Sequence, residues 1–334
     1  MKYSFLIGLF FIWKLSFGQI LDFHTVDFSK ADYMAKLNHG RSLDNLPLLA
    51  HRLTSNLTTD VEKFRAIYTW VCYNIQGDAA QDSKVSRKRK KFKNDSISYL
   101  DWNDSFKKKA FKQLLKNKKT MCTGYAYLIK ELCFLANIEC QIINGYARTA
   151  EANIEELDIA NHSWNAVKLN NKWYLCDATW SSGYFIRDVF IKDFNEGYFL
   201  ADPVLFSLSH RPLDNQWLLN DDLTKNPFTP APIVYGETFK NQVVPVYPRE
   251  FHISTKKGQE VTFSLHPLNP KFEDSISLVH FVGVEQRPFS IYDIKNEGEK
   301  ISFKYTFKHK GTYDVHLKVG DDIVATHTVQ VDNK

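Results

Sequence analysis

Apolar residues recur at helical spacing in two stretches of the first half of the chain. They recur at alternate positions through most of the last quarter. The stretch TDVEKFRAIYTWVCYNIQ opens with Thr59 and Glu62 in the Thr-x-x-Glu capping pattern, and Val61, Phe64, Tyr68, Val71 and Ile75 then fall on one face. A second helix is expected near residues 104–116. A third begins near Met121 and runs through CTGYAYLIKELCFLA, with Tyr125, Leu128, Ile129, Leu132 and Leu135 as its buried stripe. Asn137 suits a left-handed cap, with Ile138 as the apolar residue beyond it. Cys122 thus stands in the first turn of a buried helix.

Beyond that helix the period changes to two. CQIINGYAR, HSWNAVKL and KWYLCDATW read as strands, the last two joined by Asn170 and Asn171, a pair suited to a two-residue hairpin turn. Residues up to about 225 are aromatic-rich and irregular. Pro227, Pro230, Pro232, Pro245 and Pro248 then mark residues 226–248 as an expected linker. From 249 to 334 short alternating segments recur between turn signals, the pattern of an immunoglobulin-like β-sandwich, and Gly311-Thr312-Tyr313 resembles the tyrosine corner of such folds. The expected fold class is α+β: a helix bearing Cys122 packed on an antiparallel sheet bearing His162 and Asp177, then an all-β sandwich.

Composition refines this picture at the two ends of the first part. Lys2, the apolar residues 5–13 and the small residues Ser16 and Gly18 follow the order of a secretory signal, so residues 1–18 are expected to be removed and the protein exported, to a periplasmic, cell-surface or secreted location. Lys14 breaks the apolar run well short of the roughly 20 residues of a membrane span, and no later segment is apolar enough. Five cysteines, at 72, 122, 133, 140 and 176, leave at least one thiol over, and their spacing fits no zinc site. Residues 84–119 hold 14 Lys and Arg against Asp95, Asp101 and Asp104. That excess suggests an anionic cell-surface polymer as partner, or simply a solvated face. Aromatic residues are too sparse there for base stacking, so no specific nucleic-acid partner is expected.

Cysteine is a nucleophile only as thiolate, and a helix N-terminus or an adjacent imidazolium lowers its pKa. Cys122 has the first by position, and its backbone N–H is one candidate oxyanion donor. The hairpin offers the imidazole. If Leu169 pairs with Lys172, His162 lies opposite Thr179 and Trp164 opposite Asp177, which puts His162 and Asp177 on one face as diagonal neighbours. Asp177 then holds the imidazole in one tautomer. A one-residue change in the turn would separate them. Each residue also has a plain structural reading: a core cysteine, a satisfied strand histidine, a turn-capping aspartate.

The segments RAIYTWVCYNI, MCTGYAYLIKELC, NHSWNAVKLNNKWYLCDATW and GYFLADPVLFSLSHRPLDNQWLL resemble the transglutaminase-like superfamily, in particular its kyphoscoliosis-peptidase branch, over roughly residues 60–225. The resemblance implies a papain-like core over 19–225. It makes Cys122 the nucleophile, His162 the base and Asp177 its orienting group. Gly124, Trp164 and Trp180, from the same motifs, are expected to border the substrate. Met121 stands where the family often has Val, and WLLN lacks the Gln usual after that Trp. The activity implied is acyl transfer on a protein or peptide amide, as a peptidase, amidase or transglutaminase, with neither cofactor nor metal. The alternatives are a binding or scaffold protein that keeps the fold without turnover, and disulfide exchange, which the absence of a Cys-x-x-Cys pair disfavours.

Overall fold

The structure is a computed structural model that describes residues 19–150 and 157–333; the expected signal segment, 1–18, lies outside the described residues. Three helices lead: α1 (Ser29–Leu37), α2 (Leu46–Thr54) and α3 (Asp60–Asn74). The capping box of α3 is formed as expected, with Thr59 Oγ1 accepting from Glu62 N and Glu62 Oε2 accepting from Thr59 N. Helices α1 and α2 lie before the first clear periodic stretch. They are short, and α2 is set locally by an Asn45 side-chain cap and a proline in its first turn.

A short parallel pair, β1 (Gln76–Gly77) with β2 (Lys119–Thr120), brackets two helices, α4 (Ala79–Lys91) and α5 (Ser96–Asn117). The expected helix near 104–116 is the second half of α5, and α4 went unforeseen because Val85 is the single aliphatic residue beyond its first turn. Its ends explain it. Asp78 caps the first turn through Gln81 N, and Lys88, Arg89, Lys90 and Lys91 occupy the last turn, where the helix dipole favours cations. Lys84 lies over Phe106 and Lys88 over Trp102, so the aromatic residues of this basic segment hold α4 to α5.

Helix α6 (Cys122–Leu135) is the central element. It ends as its sequence indicates: Asn137 has φ 59° and Ile138 N donates back to Cys133 O at 2.8 Å. It packs on an antiparallel sheet of order β5–β4–β3–β8, made of β3 (Cys140–Ala147), β4 (His162–Leu169), β5 (Lys172–Cys176) and β8 (His210–Pro212). Asn165 fixes the packing by donating from Nδ2 to Ala126 O at 2.9 Å. The hairpin turn has the expected register, Leu169 opposite Lys172, with Asn170 and Asn171 both at positive φ. The third expected strand is shorter than its sequence suggests. It stops at Cys176, and Asp177 caps α7 (Ala178–Ser182), so Thr179 lies in a helix and not opposite His162. A small hairpin, β6 (Gly183–Ile186) with β7 (Val189–Lys192), and α8 (Pro203–Ser207) complete this part.

The stretch 226–248 is not a linker. It forms β9 (Ile233–Val234), α9 (Gly236–Lys240) and β10 (Val243–Tyr247). The remaining strands are β11 (His252–Lys256), β12 (Glu260–Pro267), β13 (Ile276–Val282), β14 (Glu285–Phe289), β15 (Tyr292–Asn296), β16 (Ile301–Thr306), β17 (Gly311–Val319) and β18 (Asp322–Asp332). They make two sheets, β10–β12–β16–β15 and β11–β18–β17–β13–β14, with β9 added along β18. Phe263, Phe303, Leu278, Leu317 and Val329 fill the space between them, an immunoglobulin-like β-sandwich. Tyr313 Oη donates to His309 O at 3.1 Å, the upstream backbone bond of a tyrosine corner. Proline 245 sits in β10, an edge strand, where the missing N–H costs least. Val234, Phe239 and Val244 also pack with Ile143, Trp164, Leu175 and Phe206, so this stretch supports the sheet that carries the site.

Candidate active site

Cys122 is the first residue of α6, and it is half-buried. Met121, the N-cap, is extended and offers no side-chain cap. The strand that delivers it, β2, is held by pairing with β1. Burial pushes the Cys122 thiol up, but a hydrogen bond with His162, the charge of that imidazole and the backbone N–H of Ser163 outweigh it and lower the pKa below the ordinary thiol value. Three buried thiols shift the other way. Burial raises Cys72 to about 12 and holds Cys133 and Cys176 well above the usual range. All five cysteines are free of disulfides.

His162 opens β4 and is buried. Its Nε2 lies 2.7 Å from Asp177 Oδ2. Burial opposes the imidazolium, but the Asp177 charge and hydrogen bond, reinforced by Cys122, carry its pKa up to about 10. Asp177 is fully buried, and its carboxylate makes four contacts. Oδ1 accepts from Thr179 N at 2.8 Å and Trp180 N at 3.3 Å; Oδ2 lies at 2.7 Å from His162 and 3.3 Å from His210. Burial disfavours the charge, yet the His162 charge and the hydrogen bonds hold the carboxyl well below the usual carboxylate range. Asp177 therefore caps a turn and orients an imidazole at once. The diagonal strand geometry expected for the pair is replaced by a strand-to-helix corner that brings the same two groups together.

His210 is a participant that the sequence reading did not single out. It begins β8, beside Ala147 of β3, and its ring stacks on Phe206 with centroids 3.9 Å apart. Burial pushes its pKa down to about 4, so near neutral pH it donates from Nε2 to Asp177, while Nδ1 accepts from Ser209 Oγ at 3.0 Å. His162, Asp177 and His210 are also the one group among the described residues whose donor atoms lie close enough to hold a metal. Their direct hydrogen bonds already occupy the lone pairs an ion would need.

A cavity of about 620 Å³ opens beside Cys122 and His162. The α4–α5 hairpin lines it through Arg89, Tyr99, Phe106 and Phe111 among others, and Leu213 lines it as well. Gly124 lines it, but the lack of a side chain serves packing: a Cβ there would stand 2.0 Å from Thr120 Oγ1. Trp164 and Trp180, expected at the substrate, do not line the cavity. Trp164 is buried behind His162, with ring centroids 6.0 Å apart, and Trp180 lies against His162 and His210 at 5.1 and 4.4 Å. Both rings build the apolar housing of the imidazoles.

Residues 77–178, which contain Cys122, His162 and Asp177, match the family model of the transglutaminase-like superfamily. The chain thus carries a transglutaminase-like domain, followed by the immunoglobulin-like sandwich. Among named relatives it is similar to human (Homo sapiens) kyphoscoliosis peptidase, 30% identical over 258 residues, which is 74% of this chain and 35% of that one. The Mus musculus kyphoscoliosis peptidase is 29% identical over 63% of this chain and 30% of its own length. Hillarin of Drosophila melanogaster is 24% identical over 58% of this chain and 23% of its own. The chain spans about a third or less of the length of these relatives. No described helix is long and apolar enough to cross a membrane.

Proposed function

We propose that this chain is a cysteine-dependent acyl-transfer enzyme acting on amides of proteins or peptides. The observation that carries the reading is the buried His162–Asp177 pair, 2.7 Å apart, set against a half-buried cysteine at a helix start on the wall of a large cavity. With Nε2 engaged by Asp177, Nδ1 is the ring nitrogen left for Cys122. The thiolate attacks the carbonyl carbon, and His162 protonates the leaving amine, giving a thioester on Cys122. Water releases the acyl group in a peptidase or amidase, and a second amine does so in a transglutaminase. The name peptidase, borne by two relatives, agrees with the first outcome.

A cavity of this size suits a peptide segment. The lysines of α4 and α5 favour an acidic stretch in that substrate, or an anionic polymer nearby, and the order of residues 1–18 favours export. Iodoacetamide labelling of the folded protein at pH 6 tests the nucleophile. Cys122 is expected to be alkylated first, well ahead of Cys72, Cys133 and Cys176, whose thiols are raised by burial. Prior labelling of Cys72 or Cys140 would assign the chemistry elsewhere.

A further inference from the structure

Among the polar groups on the cavity wall, Gln81 stands beside Cys122 and is unused by the reaction as described. Gln81, in the first turn of α4, is 8% exposed and lines the cavity together with Cys122. Its Oε1 accepts from Met121 N at 2.9 Å and from Thr120 Oγ1 at 3.3 Å. A backbone N–H can meet only the oxygen of the amide, so the orientation of the side chain is fixed. Nε2 is left buried, with no acceptor among the described residues. Leaving such a donor unpaired is unfavourable, and where one persists beside a reactive group the absent acceptor is of interest.

Its surroundings are built around it. Gln81 grips the residue that immediately precedes Cys122, at the start of a helix whose own N-cap supplies no side-chain bond. First-turn N–H groups of a helix, that of Cys122 included, have no intrahelical acceptor. Thr120, the second group on Gln81, occupies the space that any side chain at position 124 would need. Thr120 and Met121 therefore hold the Gln81 oxygen, and the space at Gly124 admits the Thr120 side chain, so the amide donor stays at the helix start.

We propose that Gln81 is a catalytic residue, the second oxyanion donor of the site, acting with the backbone N–H of Cys122. The proposal rests on the acyl-transfer reading above. As the Cys122 sulfur forms its bond to the carbonyl carbon, the C=O π pair moves onto oxygen. That oxyanion accepts hydrogen bonds from Cys122 N–H and from Gln81 Nε2. The C=O bond then re-forms, the C–N bond breaks, and the departing nitrogen takes the proton held by His162. Donors fixed in advance at such a position are commonly worth about 10²–10³-fold in rate.

Two small probes on the full chain separate this role from a structural one. p-Nitrophenyl acetate acylates a thiolate through a tetrahedral oxyanion, whereas iodoacetamide alkylates it by direct displacement with no oxyanion. Both adducts on Cys122 are read by mass spectrometry. Gln81→Ala is expected to slow acylation about 10²-fold while alkylation at pH 6 stays within about twofold. Gln81→Glu keeps the acceptor for Met121 N and replaces the donor by a like charge, so it is expected to slow acylation at least as much with the fold held. Equal slowing of both probes in both variants would make Gln81 a positioning residue for Cys122, and unchanged acylation in Gln81→Glu would remove it from the reaction; either result overturns the proposal. If wild-type Cys122 takes up neither probe, the thiol reading itself fails and the assignment falls with it.

Discussion

At the scale of single residues, two opposed shifts define when the site can work. The Cys122 thiol is lowered and the His162 imidazole is raised to about 10, so thiolate and imidazolium coexist between them. Acyl transfer is predicted to rise as pH climbs through the Cys122 pKa, because the thiolate forms. It is predicted to fall above about 10, because His162 loses the proton the leaving amine needs. In His162→Ala the two lowering contributions from His162 vanish while burial still raises the thiol. The thiolate fraction at pH 6 then falls, so alkylation there should slow severalfold or more. An unchanged alkylation profile in that variant would show that no ion pair exists. The places of Cys122, His162 and Asp177 in the fold were legible because each has local causes: a helix start, a strand, a residue shortly after a readable turn. His210 and Gln81 carry no such signal. Their partners are set by the crossing of β8 and the return of β2, contacts that no periodicity encodes. Trp164 and Trp180 stand in the same motifs but outside the cavity lining, and a large ring beside a buried imidazole serves equally to exclude water.

Among the elements, the α4–α5 hairpin changes meaning most between sequence and structure. Read linearly, residues 84–119 are a basic tract that could be solvated or could bind a polyanion. Folded, they form two helices that wall the cavity, so removal of 84–95 would open the site, and charge and chemistry are one feature. Arg89 faces the cavity, and its single hydrogen bond among the described residues runs from Nη2 to Asn161 O at 3.4 Å. Asn161 precedes His162, so a substrate carboxylate at Arg89 would lie close to the reacting centre. Arg89→Ala is predicted to raise KM for an acidic peptide donor about tenfold, roughly the value of one partly buried charge-assisted hydrogen bond. It should leave kcat and the KM of a neutral donor nearly unchanged, and added salt should weaken the acidic preference of the wild type. Equal KM changes for both donors would make Arg89 part of the wall only. The hairpin of β4 and β5 could be read to the residue, because Asn-Asn at positive φ permits few alternatives. Helix α4 could not, because it is held by end-capping and by cation–π contacts to another helix instead of an apolar stripe.

For the molecule as a whole, the change from helical to alternating periodicity located both architectures correctly, since each needs its own pattern to bury a core. Proline content misled between them. Five prolines in 226–248 suggested a spacer, yet Phe239 and Val244 pack beneath the sheet that carries His162 while β10 completes a sandwich sheet. Proline is compatible with edge strands and turns as well as with linkers, and only the packing of its neighbours decides. The residues that line the cavity all fall between Gln81 and Leu213, so the sandwich lends no side chain to it. The claim that joins these parts is that the chain transfers acyl groups through Cys122, and it is best tested on the full chain with denatured casein as a general amide donor. One reaction, supplied with a biotinylated primary amine, is followed for new N-termini, released ammonia and incorporated biotin, which report peptide hydrolysis, deamidation and transamidation. The wild type is expected to give at least one of these signals. Cys122→Ala should abolish it, and His162→Ala added to Cys122→Ala should lower it no further, because the two residues act as a unit. A signal that survives Cys122→Ala, or a wild type that gives none of the three while still binding casein, would contradict the account.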